Sequence, residues 1–330
     1  MRVLVTGGAG YIGSHVVRQL VERGDDVVAY DSLVTGHDWA VGDAELVVGD
    51  VGDRATLDRV LARGFDSVLH FAASTVVPES VADPLSFYRN NTANTLNLFE
   101  AVTAAGVGTF LFSSTAAVYG IPAGALVDEA STLAPINPYG ASKMMSERIL
   151  TDLAAASSLR YGILRYFNVA GADPQGRIGQ ATPEATHLIK VASQAAVGVR
   201  SGLKIFGTDY DTSDGTCVRD YIHVEDLATA HLLLLDHLQA GGDSRLYNCG
   251  YGHGYSVREI VDAVHRVTGV PFLVEETDRR PGDPAQLVAD SSALKRDLGW
   301  RPQYDDIDTI VSHAYTWERR LQGEQAVGWG

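Results

Sequence analysis

Apolar positions in the first half of the chain fall in short, nearly unbroken runs: "RVLVT", "DVVAY", "AELVVG", "SVLHFAA", "TFLFSS" and "YGILRYF". The longer stretches between them place apolar residues three or four positions apart. A run that is apolar throughout has no solvent face, so each predicts a strand covered on both sides. Strands alternating with amphipathic helices predict a parallel sheet flanked by helices. After about residue 170 the rhythm breaks into loops rich in Gly and Asp, such as "GTDYDTSDGT". Helices are expected there at about 185–197, 225–239, 256–267 and 307–321. "SRLYNCG" reads as one more strand of the main sheet. The pattern therefore predicts an α/β fold in which a smaller, interleaved C-terminal lobe grows from a parallel sheet.

Composition narrows the partners. Of 330 residues, 45% are hydrophobic and 20% charged, enough material for a large core. A formal net charge of −15 argues against a nucleic-acid or anionic-membrane surface, so any phosphate site must be local. The run "LLLL" is too short to cross a bilayer, and Met1 leads directly into an apolar strand. A cytoplasmic location is expected. Cys217 and Cys249 lack metal-ligand spacing and are expected to be reduced thiols. The histidines form no cluster in the sequence; His70 and His223 are expected as core residues, and no metal is implied.

The first chemical motif is "TGGAGYIGSH". Gly7, Gly10 and Gly13 stand between a strand and an amphipathic helix. Glycines there permit a tight turn, close approach to a pyrophosphate and close helix packing, with the phosphates on the positive helix end. Asp31 ends the second strand, where a carboxylate accepts hydrogen bonds from an adenosine ribose and repels a 2′-phosphate. The expectation is NAD, not NADP, and a Rossmann-type doubly wound sheet. Residues 1–170 would form the NAD-binding domain, with later strands returning to it, and residues 171–330 mainly the substrate lobe.

The second motif is "NPYGASK", which puts Tyr139 and Lys143 on one face of a helix beginning near Pro138. A free tyrosine titrates at about 10, so a tyrosine base at neutral pH needs a nearby cation. Lys143 is expected to supply it. A Tyr-x-x-x-Lys pair alone recurs by chance; its weight comes from the glycine motif upstream and the hydroxyls Ser113, Ser114 and Thr115 ending a strand between them.

The Gly-x-x-Gly-x-x-Gly spacing resembles the extended short-chain dehydrogenase/reductase superfamily. "RYFNVAGA", "IFGTDYDTSDGTCVRDYIHVEDLA" and "RRPGDPA" together resemble the UDP-glucose 4-epimerase family within it. The resemblance implies a 4-epimerase for UDP-sugars that uses bound NAD, through a transient 4-keto sugar. It implies Thr115, Tyr139 and Lys143 as the catalytic set. For the cofactor it implies Gly7, Gly10, Tyr11, Ile12, Gly13, Asp31, Asp50, Val51, Phe71, Ala72, Ala73, Thr75, Asn90 and Phe167, with Tyr139 and Lys143. For the substrate it implies Thr115, Asn168, His187, Phe206, Arg219, Arg280, Asp283 and Leu287. Two arginines suit a diphosphate and an aspartate suits ribose hydroxyls.

Two departures bear on the sugar: Thr75 stands where the family often has Lys, and His187 where it often has Asn. Related 4,6-dehydratases follow the catalytic Thr with Asp-Glu, which eliminates water. Here Ala116 and Ala117 carry no proton, so an epimerase is expected. Other nucleotide-sugar epimerases, a dehydratase and a non-catalytic NAD sensor remain as alternatives. The family also implies a homodimer built from helices at about 84–105 and 138–155.

Overall fold

The computed structural model describes residues 1–280 and 282–327. Seven strands form one parallel sheet in the order Arg245–Cys249, Arg160–Tyr166, Thr109–Thr115, Ser67–His70, Arg2–Thr6, Asp26–Asp31, Glu45–Val48. The apolar runs of the sequence are these strands, and "SRLYNCG" is the outermost of them. Both sheet faces are buried. Val3 and Val5 of the first strand join Val16, Val17 and Leu20 of the helix Tyr11–Glu22, together with the helix Val224–Gln239. Leu4, between them, joins Leu57, Leu98, Phe99 and Leu150 on the opposite face. Alternate Cβ atoms of a strand point to opposite faces, so an all-apolar strand needs a helical layer on each side.

Strand order reverses between Arg2–Thr6 and Ser67–His70, the place where doubly wound sheets open a crevice at the carboxyl ends of their strands. Thr6 lies beside His70 there. His70 is a core residue: Nδ1 pairs with the Thr6 hydroxyl at 2.6 Å and Nε2 with Thr95 at 2.9 Å. Burial pushes its pKa down to about 3.

The expected helix at about 84–105 is interrupted. Helices Pro84–Tyr88 and Asn94–Ala104 flank a wider π turn, Arg89–Ala93. Such insertions occur often at functional sites. This one buries Asn91, whose carboxamide holds Ser74 by both main-chain groups: Nδ2 donates to its carbonyl at 2.9 Å, and Oδ1 accepts its N–H at 2.8 Å. The loop Phe71–Thr75 is thereby fixed above the crevice.

The remaining strands form small sheets around it. Leu126–Val127 joins Gln286–Ala289, Val218–Arg219 and Tyr255–Ser256 in one of them. Asn168–Ala170 pairs with Tyr221–His223, and Gly202–Phe206 with Leu273–Thr277. Asp220 knots these pieces. Its fully buried carboxylate accepts the N–H groups of Tyr251, Gly252 and Ala289. Cys217 and Cys249 are buried free thiols. Among the described residues no helix is long and apolar enough to cross a membrane.

Candidate active site

The glycine turn ends the first strand at the crevice. Gly7 has φ +72°, and a Cβ there would lie 2.4 Å from Ala72 N. A Cβ on Gly13 would come within 2.1 Å of Gly7 O, so the helix Tyr11–Glu22 rests directly on the turn. At Gly10 an added Cβ would meet only Gly7 O, at 3.3 Å; that side of the turn is open. Gly10 also begins the helix with no side-chain cap, which leaves the N–H groups of its first turn without one. A closed glycine cradle with one open face over an uncapped helix end fits a dinucleotide pyrophosphate.

Asp31 Oδ2 accepts Ala9 N–H at 3.0 Å and Oδ1 accepts Leu33 N–H at 2.8 Å, which sets the carboxylate beside the turn. Ile12 follows Tyr11, whose phenol donates to Gly171 O at 2.7 Å and ties the helix start to the lobe. Asp50 is exposed, with Oδ1 accepting Gly52 N–H at 2.6 Å, and Val51 is buried beside it. Phe71 and Ala72 donate N–H groups to Thr6 O. Ala73 and Thr75 continue that loop, and Asn90 Nδ2 donates to Ser74 Oγ at 2.9 Å. Asp31 ends the strand Asp26–Asp31 and Asp50 and Val51 follow Glu45–Val48, while Phe71 and Ala72, held to Thr6, sit at the switch point itself.

Thr115, Tyr139 and Lys143 converge at its rim. Thr115 ends its strand and accepts Ala117 N–H at 3.1 Å. Tyr139 opens the helix Pro138–Ala155, started by Asn137, whose Oδ1 accepts Gly140 N–H at 2.8 Å. Thr115 and Tyr139 are each 8% exposed and Lys143 3%, so desolvation dominates their chemistry. Burial pushes the phenol of Tyr139 above its ordinary value, and a hydrogen bond with Thr115 pulls it part of the way back. Burial pushes Lys143 down to about 7, against the pull of the Glu147 carboxylate. Lys143 Nζ donates to Ser113 O at 3.0 Å and stands 4.8 Å from the centre of the Phe112 ring. The sequence expectation was of a lysine lowering a tyrosine pKa. In the protein alone both groups move toward their neutral forms, because a site closed to water penalises either charge.

Behind the pair lies a charged network that sequence reasoning missed. Glu147, one helical turn beyond Lys143, takes Arg165 on both oxygens, Nη2 to Oε2 at 2.6 Å and Nε to Oε1 at 2.9 Å. Ser114 Oγ donates to the same carboxylate. Arg165 Nη1 donates to Tyr119 Oη at 3.0 Å, and Tyr119 donates to Asn248 Oδ1 at 2.6 Å. The helix period offered one signal: Tyr139, Lys143 and Glu147 recur every four residues. Nothing local pointed to Arg165. Tyr166, beside Thr115 in register, was also missed; its phenol pairs with Ser113 Oγ at 2.7 Å.

The substrate candidates lie on distant segments, and several of them make contacts across those segments. Asn168 N–H donates to Asp220 O at 3.0 Å. Arg219 Nη2 lies 3.6 Å from Asp283, and the Arg280 guanidinium covers the Phe206 ring at 3.6 Å. Pro281 of the same motif lies outside the described residues. Leu287, opposite Arg219 in register, packs with Ala116 and Phe167 in one apolar cluster. His187 begins the helix Leu188–Ala196 and pairs through Nδ1 with Gln180.

Comparison with known proteins agrees with this geometry. The model of the NAD dependent epimerase/dehydratase family matches residues 3–250. A UDP-glucose 4-epimerase of Azospirillum brasilense is 58% identical over 99% of this chain and 94% of its own. Among solved structures, a UDP-glucose 4-epimerase from Brucella ovis in complex with NAD is 45% identical. It has a TM-score of 0.93, over 96% of this chain and 97% of that one. The UDP-Glc/GlcNAc 4-epimerase of Campylobacter jejuni is 47% identical, with a TM-score of 0.85 over 97% and 99%. By glycine cradle, sheet order and nearly full-length similarity, the chain belongs to the NAD dependent epimerase/dehydratase family.

Proposed function

We propose that this chain interconverts UDP-glucose and UDP-galactose by epimerisation at C4, with NAD as its cofactor. The observation that carries the reading is the meeting of Thr115 and Tyr139 at the crevice rim, followed by two alanines and no acid. The cradle Gly7, Gly10 and Gly13 would hold the pyrophosphate of NAD, and Asp31 its adenosine ribose. Bound there, NAD supplies a reversible hydride acceptor and, when oxidised, a positive charge.

The chain's own groups manage the proton and the fit. Once ionised, Tyr139 Oη takes the proton of the sugar 4-hydroxyl as C4 becomes a carbonyl, while Thr115 hydrogen-bonds the same oxygen. Lys143, one helical turn away, is a cation below its pKa of about 7. Arg219, Arg280 and Asp283 hold the diphosphate and ribose, remote from the reacting carbon, so the keto sugar can present its other face. With the hydride given back to that other face, Tyr139 returns the proton and the C4 configuration is inverted.

Incubation with UDP-glucose, followed by NMR, should yield UDP-galactose and no 4-keto-6-deoxy sugar. Ala116 and Ala117 carry no group that could eliminate water. A substantial deoxy product would place the chain among the dehydratases instead.

Leu287 favours a second substrate. By the resemblance to UDP-glucose 4-epimerases, Leu287, four places after Asp283, lies against the sugar 2-substituent, where a tyrosine in such enzymes fills the space of an N-acetyl group; Leu287 is smaller. UDP-N-acetylglucosamine should therefore be epimerised measurably. Apolar walls discriminate only weakly, about 1–3 kcal/mol per methylene, so UDP-glucose should remain the better substrate. Leu287→Tyr should suppress the N-acetyl reaction far more than the simple-sugar one. Equal loss of both rates would refute the assignment.

The exposed apolar residues Val81, Leu85, Leu96 and Met145, all on the two middle crossovers, support a homodimer joined there. Two buried, unbridged thiols support a cytoplasmic location.

A further inference from the structure

We propose that Gln180 is a positioning residue for His187, fixing its ring as the Nε2–H tautomer so that it meets an acceptor oxygen of the nucleotide sugar as a donor. The inference rests on the reading of His187 as a substrate residue.

The segment around Gln180 is held from several sides. Gly179 lies flat beneath the Trp317 indole, where an added Cβ would come within 2.6 Å of the ring, and it bridges to Ala172. The Gln180 carbonyl accepts two donors, Trp317 Nε1 at 3.1 Å and Lys190 Nζ. Lys190 is neutralised in turn by Glu318, and both are buried. Such a pair costs desolvation, which good geometry and further hydrogen bonds offset. Here the geometry fixes a backbone carbonyl. Next along the chain, Ala181 O meets His37 Nε2 at 3.3 Å. The Gln180 side chain is buried as well.

It reaches His187: Gln180 Nε2 lies 3.0 Å from Nδ1. A carboxamide nitrogen only donates, so Nδ1 is the acceptor and the proton of a neutral ring sits on Nε2. His187 is exposed as a residue, and burial of its ring by surrounding protein, with the Lys190 cation, lowers its pKa. The surrounding protein thus favours the neutral form of the ring. His187 makes no side-chain cap to its own helix, and Nε2 has no protein partner among the described residues. A ring free to exchange tautomers would at times offer a lone pair to a diphosphate or hydroxyl oxygen. A ring locked by Gln180 always offers a proton.

The test combines NMR with a double-mutant cycle. In the ligand-free protein, ¹⁵N signals of the His187 ring should show an unprotonated Nδ1, and Gln180→Glu should move the proton onto it. Gln180→Leu should raise KM for UDP-glucose about tenfold, the worth of one hydrogen bond, with kcat within twofold of wild type. In a His187→Ala background the same change should have no further effect, which a merely structural role would not produce. Binding of UDP alone locates the acceptor: equal loss places it on the diphosphate, and loss confined to UDP-glucose places it on the sugar. A protonated Nδ1 in wild type, or an undiminished effect in the His187→Ala background, overturns the proposal. If wild type turns over no UDP-hexose, the epimerase reading fails, while the NMR result still decides the tautomer.

Discussion

Tyr139→Phe is expected to lower kcat by two to four orders of magnitude while leaving the protein folded and its cofactor bound. General acid–base catalysis by a positioned side chain contributes about 10²–10⁴-fold, and Tyr139 is the buried hydroxyl that faces Thr115 at the crevice. The ring itself remains in the variant, so packing is kept and only the proton carrier is lost. Thr115 cannot replace it, since an alkyl hydroxyl is a far weaker acid than a phenol. Residual turnover above a tenth of wild type would exclude Tyr139 as the base. The high pKa of the isolated phenol adds a condition. With Tyr139 pushed up and Lys143 pushed down to about 7, a positive charge must arrive with the ligands before the proton can move readily.

Glu147→Ala is expected to destabilise the fold by about 3–5 kcal/mol, the cost of leaving a buried partner charge uncompensated. Glu147 and Arg165 are each 4% exposed, so removing the carboxylate leaves a buried guanidinium without its counter-charge. The damage should reach the site as well. Glu147 shares the helix of Tyr139 and Lys143, and its carboxylate ties that helix to Ser114, next to Thr115. The double variant Glu147→Leu, Arg165→Met should recover most of the stability, because an apolar pair of similar volume replaces a buried ion pair at little cost. Chemical denaturation of the three proteins decides the matter. A Glu147→Ala variant within about 1 kcal/mol of wild type would mean that the pair is no structural anchor.

The sequence by itself determined what depends on near neighbours. Apolar runs between amphipathic stretches dictated a sheet covered on both faces, since no other arrangement buries Val3, Leu4 and Val5 together. Glycine spacing dictated the cradle, because a closed turn under a helix admits no Cβ at Gly7 or Gly13. The helical period put Tyr139 and Lys143 on one face, and Ala116 and Ala117 stand where an elimination would need acidic side chains. Tertiary structure decided everything that joins distant segments. Arg280 reaches the Phe206 ring, and Arg219 reaches Asp283, only because segments far apart in the chain are brought together. Arg165 finds Glu147, and Gln180 finds His187, through strand order and helix packing that no local pattern records. Protonation belongs to the same class: the spacing placed Lys143 beside Tyr139, but only the protein folded around them fixed their charge. Desolvation depends on what covers a group, and that is a property of the whole fold.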